Sequence, residues 1–285
     1  MNENVKILVA CHKPDVYPTD DLYLPVHVGK ALSELDLGIQ TDNEGVNISA
    51  KNPYYCELTA IYWAWKNLKN VDVIGLCHYR RYFDFHNQCR PVFASSAFSS
   101  DEFKSLNLSL DTFTLTKVLN GAIVVAKPDV MNCTIRQNYC EYHISDDLNV
   151  LENIIRQTQE NKFIEAYDAV VNRGYKLYPY NMFVMSWQDF DAYCNWLFPI
   201  LSQVERAIDI SSYTAYQKRI YGFMAERLFN VWLRANNKQI IEKPVMFITD
   251  AEHPNRHVGP RKLFREILRI WRCKRINKLY NKARS

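Results

Sequence analysis

The sequence predicts an α/β fold with a mostly parallel central sheet, followed by a basic amphipathic tail. Three observations carry that prediction. Apolar runs of strand length alternate with segments of helical periodicity, the pattern of βα units. No linker-like stretch divides the chain and no internal repeat is visible, so residues 1–255 read as one domain. Charge is divided along the chain: of 35 Lys/Arg and 31 Asp/Glu, eleven basic residues and a single acid, Glu266, lie between Arg256 and Ser285. The body is therefore mildly acidic and residues 256–285 strongly basic.

Taken in order, Val5–Ala10 is a strand-like run, closed by Cys11-His12-Lys13-Pro14, where proline enforces a turn. Residues 14–53 carry four prolines and three glycines and read as a long irregular stretch, of the kind that is usually functional. Asn52-Pro53 opens a helix, since proline fits a first helical turn. Leu58, Ile61, Tyr62, Trp65 and Leu68 place its apolar face at helical spacing, and it ends near Lys69-Asn70. Val73–Cys77 is the next strand. Residues 84–110 are serine-rich and weakly patterned. Gly121–Ala126 is a strand stopped by Lys127-Pro128. Residues 146–171 read as helix, with Leu148, Leu151, Ile154 and Ile155 as the stripe. A strand lies within Tyr178–Ser186. Helices follow from about Gln188 to Val204, despite Pro199, and from about Thr214 to Ala235. Pro244–Ile248 is a last strand.

Composition narrows the function classes. Of 285 residues, 48% are hydrophobic and 23% charged, as in ordinary globular proteins. The eight cysteines include no Cys-x-x-Cys pair, which argues against a zinc ribbon or thioredoxin-type site. The opening residues do not form a signal peptide, and no apolar run reaches the roughly 18 residues of a membrane span. A reducing cytoplasm is the expected compartment. Gly-x-Gly-x-x-Gly, the Walker loop, His-Glu-x-x-His and Gly-x-Ser-x-Gly are all absent.

The most telling segment is Val73-Ile-Gly-Leu-Cys-His-Tyr-Arg-Arg-Tyr-Phe83. An apolar strand ends abruptly in His78, Tyr79, Arg80 and Arg81. Open α/β sheets bind ligands beyond the carboxyl ends of their strands. Adjacent guanidinium groups there suit phosphate oxygens, so a phosphorylated ligand is expected. Either arginine taken alone is also explained by an internal ion pair.

That segment also resembles a known family. Asp42–Ser49, Lys51–Thr59, Tyr62–Asn67 and Gly75–Phe83 look like the bacterial glycosyltransferases of capsule and O-antigen gene clusters, long carried as a domain of unknown function. Ile7–Lys13, Asn181–Met185, Trp196–Pro199 and Gly222–Leu228 match the same pattern in order, across residues 5 to 250. The resemblance implies a GT-A-like, Rossmann-like fold, a nucleoside-diphosphate-sugar donor and transfer to a growing glycan. Some members are linked to galactosyl or galactofuranosyl transfer. GT-A enzymes usually hold a divalent metal with Asp-x-Asp after a central strand. Here that strand end is His78-Tyr79-Arg80, with no carboxylate before Asp84. The expectation is that Arg80, Arg81 and His78 replace the metal, with no cofactor required and no metal ligands; Mg or Mn lacks a motif to hold it.

On this reading the donor nucleotide meets His12 and Lys13 after the first strand. Asp42, Asn43, Asn47 and Lys51 grip sugar hydroxyls or serve only as turn residues. Tyr55 and Glu57 join the donor site from the start of the aromatic helix. Trp63, off the apolar face, is a candidate stacking surface, while Tyr62 and Trp65 read as core. A general base must take the acceptor's proton. Glu226 is the first candidate and Asp147, beside Asp146, the second; a pairing with arginine and a helix N-cap are their respective structural alternatives. Asn181 and Arg227 are assigned to the acceptor.

In the tail, Leu263, Phe264, Ile267, Leu268 and Trp271 recur at helical spacing among arginines and lysines, as in helices that lie on anionic membranes. The expected partners are a UDP-sugar, a lipid-linked glycan and the inner face of the cytoplasmic membrane, with no nucleic acid, because the basic charge is confined to the tail. A non-catalytic sugar-nucleotide-binding assembly protein is the rival reading.

Overall fold

A computed structural model describes residues 3–89 and 93–250 and, beyond these, only Leu268 and Trp271. The tail helix and its membrane face lie outside the described residues. The chain opens with β1 (Val5–Cys11), as expected. The stretch expected to be irregular contains β2 (Tyr23–His27) and β3 (Gln40–Thr41). Pro25 conceals β2 in the sequence. Val28 N donates to the Cys11 carbonyl, and by alternation along this parallel ladder Pro25 turns its missing N–H toward β3. That strand starts to pair only at Val26, so no ladder bond is lost.

The single helix expected after Asn52 is two: α1 (Asn52–Tyr55) and α2 (Leu58–Asn67). Cys56, at φ 52° and ψ −131°, breaks between them. Trp63 is 5% exposed and lies in the core, so it offers no stacking face. Tyr62 and Trp65 pack as expected, with Trp65 stacked on Phe198 at 5.7 Å. Next come β4 (Val73–His78), β5 (Arg81–Phe83), β6 (Ser95–Phe98), α3 (Ser100–Phe103), α4 (Thr112–Leu119) and β7 (Ala122–Ala126). The helical stretch 146–171 resolves into more than one element. After β8 (Asp129–Val130), the chain forms α5 (Ile135–Tyr142), α6 (Ser145–Thr158) and α7 (Asn161–Tyr167), then a π-turn over Asp168–Asn172. β9 (Lys176–Leu177) and β10 (Phe183–Ser186) follow. Then come α8 (Trp187–Ala207), α9 (Ile220–Ala235), β11 (Gln239–Lys243) and β12 (Val245–Ile248). Pro199 sits on the exposed side of α8.

The main sheet runs β11-β7-β10-β4-β1-β2-β3. β10 is antiparallel to both neighbours, and the other six strands run one way. Gly75 in β4 is required by this packing: a Cβ there would stand 3.0 Å from the Phe183 carbonyl oxygen. β12 joins β5 and β6 to the same sheet. Side chains alternate across the sheet, as the period of a strand demands. Leu8, Ala10, Ile74 and Leu76 face the core beneath α2 and α5–α9. Ile7, Val9, Val73 and Cys77 face the opposite core with Tyr82, Phe83, Phe103 and Val118. Among the described residues no helix is long and apolar enough to cross a membrane.

Candidate functional site

β1 and β4 run side by side, so their carboxyl ends open on the same edge of the sheet. A cleft of about 1200 Å³ lies there. Ala10 and His12 reach it from β1, His78 from the end of β4, and Tyr79 and Arg80 from a two-residue turn. Arg81 begins β5 and pairs with His78 across the hairpin. The sheet's own hydrogen bonds therefore position this arginine. The facing wall comes from α1 and its exit (Asn52 to Glu57), from Arg219 and α9, and from the end of β12.

The Tyr180–Asn181 turn enters between the two walls. Both residues hold left-handed backbones, φ 75° and 54°, a conformation that costs energy for residues with a side chain. The site holds them there. Tyr180 N donates to Glu226 Oε1 at 2.6 Å, and His78 Nε2 donates to the Tyr180 carbonyl at 2.7 Å. Asn181 Nδ2 donates to Glu57 Oε1 at 2.6 Å and to the Gly222 carbonyl at 3.3 Å. Asn181 Oδ1 is buried and has no hydrogen-bond partner.

Charge in the cleft is lopsided. Arg80, Arg81, Lys218, Arg219 and Arg227 line it against two carboxylates, Glu57 and Glu226. Arg80 Nε donates to Asp15 Oδ2 at 2.7 Å. The Arg81 guanidinium lies 5.0 Å from the Tyr180 ring centre and 5.5 Å from that of Phe247, and its buried Nε has no partner. Arg227 Nη1 donates to Glu226 Oε2 at 2.7 Å and to the Phe223 carbonyl at 3.1 Å, which fixes the carboxylate. Burial, with the nearby Glu57 charge, raises the Glu226 carboxyl above its ordinary 4.5, against the opposing pull of Arg227, the Tyr180 N–H and Arg81. Burial lowers His78, as it lowers His12 with help from Lys13 and Arg219. Burial, Arg227 and Arg219 push His143 down to about 4. These imidazoles are neutral at neutral pH.

Nine of the sixteen expected site residues line the cleft: His12, Glu57, His78, Tyr79, Arg80, Arg81, Asn181, Glu226 and Arg227. The others do not. Lys13 lies 5.6 Å from the Tyr79 ring, beside the cleft. Asp42 is fully buried, where it accepts from Gly29 N at 2.8 Å, Lys30 N at 3.1 Å and the Ser49 hydroxyl, fastening the loop. The Asn43 carbonyl accepts from Asn47 Nδ2 at 2.9 Å, and Asn47 Oδ1 accepts from Ser49 N at 3.1 Å. Lys51 and Tyr55 both turn to Glu205, at 2.8 and 3.0 Å. Asp147 is buried away from the cleft and accepts from the Tyr213 hydroxyl at 2.7 Å. The cleft also recruits His143, Tyr180, Tyr216, Arg219 and Phe223, none of them foreseen. Arg219, Phe223 and Glu226 recur at helical spacing, a signal that was available in the sequence.

No group of three His, Cys, Asp or Glu side chains that could hold a metal ion occurs among the described residues. The two carboxylates in the cleft are already engaged by N–H donors and stand among cations, a poor donor set for a divalent ion.

None of the curated proteins matches the sequence. The apo structure of the WbbM bifunctional glycosyltransferase is similar, with a TM-score of 0.79 and 30% sequence identity. The match covers 90% of this chain and 47% of that one, so the chain spans about half the length of that enzyme. The α/β glycosyltransferase fold implied by the resemblance is the fold this chain adopts. Residues 6–238 match the family model described as a domain of unknown function, DUF4422. With so much of its length matched, the chain belongs to the DUF4422 family.

Proposed function

We propose that this chain is a glycosyltransferase that moves a hexose, galactose in pyranose or furanose form, from a UDP-sugar to a lipid-linked oligosaccharide in capsule or O-antigen synthesis. The observation that carries the reading is the pairing, in one cleft at the strand ends, of the Arg80–Arg81 hairpin with the half-buried Glu226 carboxylate on the facing helix. Glu226 takes the proton from an acceptor hydroxyl. The hydroxyl oxygen then bonds to the anomeric carbon as the bond to the diphosphate oxygen breaks. The electron pair leaves with the diphosphate, and the guanidinium groups stabilise that charge. Asn181 Oδ1, buried and without a partner, is a ready acceptor for a sugar hydroxyl. Arginine here takes the part that a divalent ion plays in related enzymes, and Glu57 and His78 keep the strained turn in place.

The test is turnover of UDP-galactose, read as UDP release with and without glycan acceptors and with and without excess chelator. Acceptor-stimulated release that survives chelator supports the reading. Nucleotide binding without any release favours a non-catalytic binding protein, and activity abolished by chelator and restored by Mn²⁺ rejects the arginine substitution. The basic tail supports a place on the inner face of the cytoplasmic membrane. Deleting residues 256–285 should move the protein from the membrane to the soluble fraction; an unchanged distribution rejects that placement.

A further inference from the structure

One wall of the cleft takes no part in the chemistry proposed above. His143, at the end of α5, Tyr216, ahead of α9, and Phe223, on the first turn of α9, form an aromatic shelf whose open ring is Tyr216, the other two being stacked on each other. The His143 and Phe223 rings stack with centres 4.1 Å apart and planes at 26°. Tyr216 lies 5.8 Å from His143 at 19° and 5.2 Å from Phe223. Tyr216 is 51% exposed, so its ring remains open to a ligand. The Arg219 guanidinium stands 5.3 Å from the Phe223 ring centre, at the shelf's edge.

We infer that this shelf, through the open Tyr216 ring backed by the His143–Phe223 stack, seats the sugar ring of the acceptor. The inference rests on the glycosyltransferase reading and adds where the acceptor binds and by what chemistry. One face of a hexose ring displays C–H groups with slight positive charge, and an aromatic face is negative, so the two attract without an ion pair. His143 stays neutral above about pH 4, so no charged ring stands behind Tyr216. Spacing supplies the link to the reaction. Phe223 and Glu226 are three residues apart on one helix and share a face. A sugar resting on the shelf therefore presents a hydroxyl beside the carboxylate that removes its proton. The donor diphosphate, drawn to Arg80 and Arg81, occupies the strand-end wall and leaves the shelf free. A nucleobase also stacks on aromatic rings, and the experiment separates the two.

The probes are methyl β-D-galactopyranoside and its gluco and manno counterparts, observed by saturation-transfer NMR on the full chain with UDP present. Wild type should saturate the C–H protons of one ring face. Tyr216→Phe keeps the ring and should keep binding. Tyr216→Ala should weaken it about three- to tenfold, while UDP affinity changes by less than about twofold. Equal weakening of UDP would show that the base occupies the shelf and would overturn the inference. Unchanged glycoside binding in Tyr216→Ala, or no saturation of any glycoside by wild type, would also overturn it. Failure of the transferase reading shows itself separately, as absence of UDP binding and of UDP-sugar turnover in wild type.

Discussion

Glu226 is half-buried and Asp42 fully buried, and the geometry gives these two acids different work. Glu226 faces the cleft with one oxygen held by a backbone N–H and the other by Arg227. Its carboxyl is raised above 4.5 by burial and by Glu57. As the base it must be ionised, so activity should fall as pH drops through that raised value. The acid limb of kcat/KM is expected above the usual glutamate range, and Glu226→Gln should lower turnover by about 10²-fold or more while UDP affinity holds. A limb at the ordinary position would remove Glu226 from the role. Asp42 instead ties Gly29, Lys30 and Ser49 together out of reach of ligand. Asp42→Ala should cost about 2–4 kcal/mol in chemical denaturation, because buried donors lose their acceptor, and should leave nucleotide affinity of the folded protein unchanged. A loss of affinity at constant stability would return Asp42 to the binding site. The sequence could not separate these roles. Short polar residues rich in turn chemistry look alike whether they bind a sugar or their own backbone, as Asn43 and Asn47 show.

At the scale of elements, strongly apolar segments were legible and weakly patterned ones were not. β1, β4 and β7 are buried on both faces and read as apolar runs. β2 was hidden by Pro25, and β11 carries only two apolar residues in Gln239–Lys243. The split between α1 and α2 depends on the backbone of Cys56, which no periodicity announces. The hairpin after β4 was not foreseen: β5 is three residues long, pairs with β4 only at His78 and Arg81, and otherwise pairs with β12, far along the chain. Gly75 is the most demanding position in the sheet. Gly75→Ala should destabilise the protein by about 1–3 kcal/mol, since the added methyl meets the Phe183 carbonyl and the side chains of Val184 and Ile7. Equilibrium unfolding checks this, and a neutral result would mean that β10 shifts freely against β4.

For the molecule as a whole, acid is the expected weakness. His12, His27, His78 and His143 are all lowered, each first by burial. The unfolded chain protonates them near pH 6.5, while the folded chain resists. Stability should therefore be complete above that pH and decline as pH falls toward about 4, where His143 at last accepts its proton. Melting temperature measured from pH 7.5 to 4.5 tests it, and a flat profile would show that these rings charge without cost. The sheet also has an order of assembly written into it. β12 pairs with β5 and β6, and Cys89 touches Val245 across 156 positions of chain. Contacts so distant in sequence form slowly. On the ribosome, the arginine hairpin is synthesised early, but the outer edge of β5 has no strand beside it until residues 245–248 emerge. Newly made protein thus completes this cleft among the last of its features, and a nascent chain stopped short of β12 would expose the β5 edge as a sticky surface.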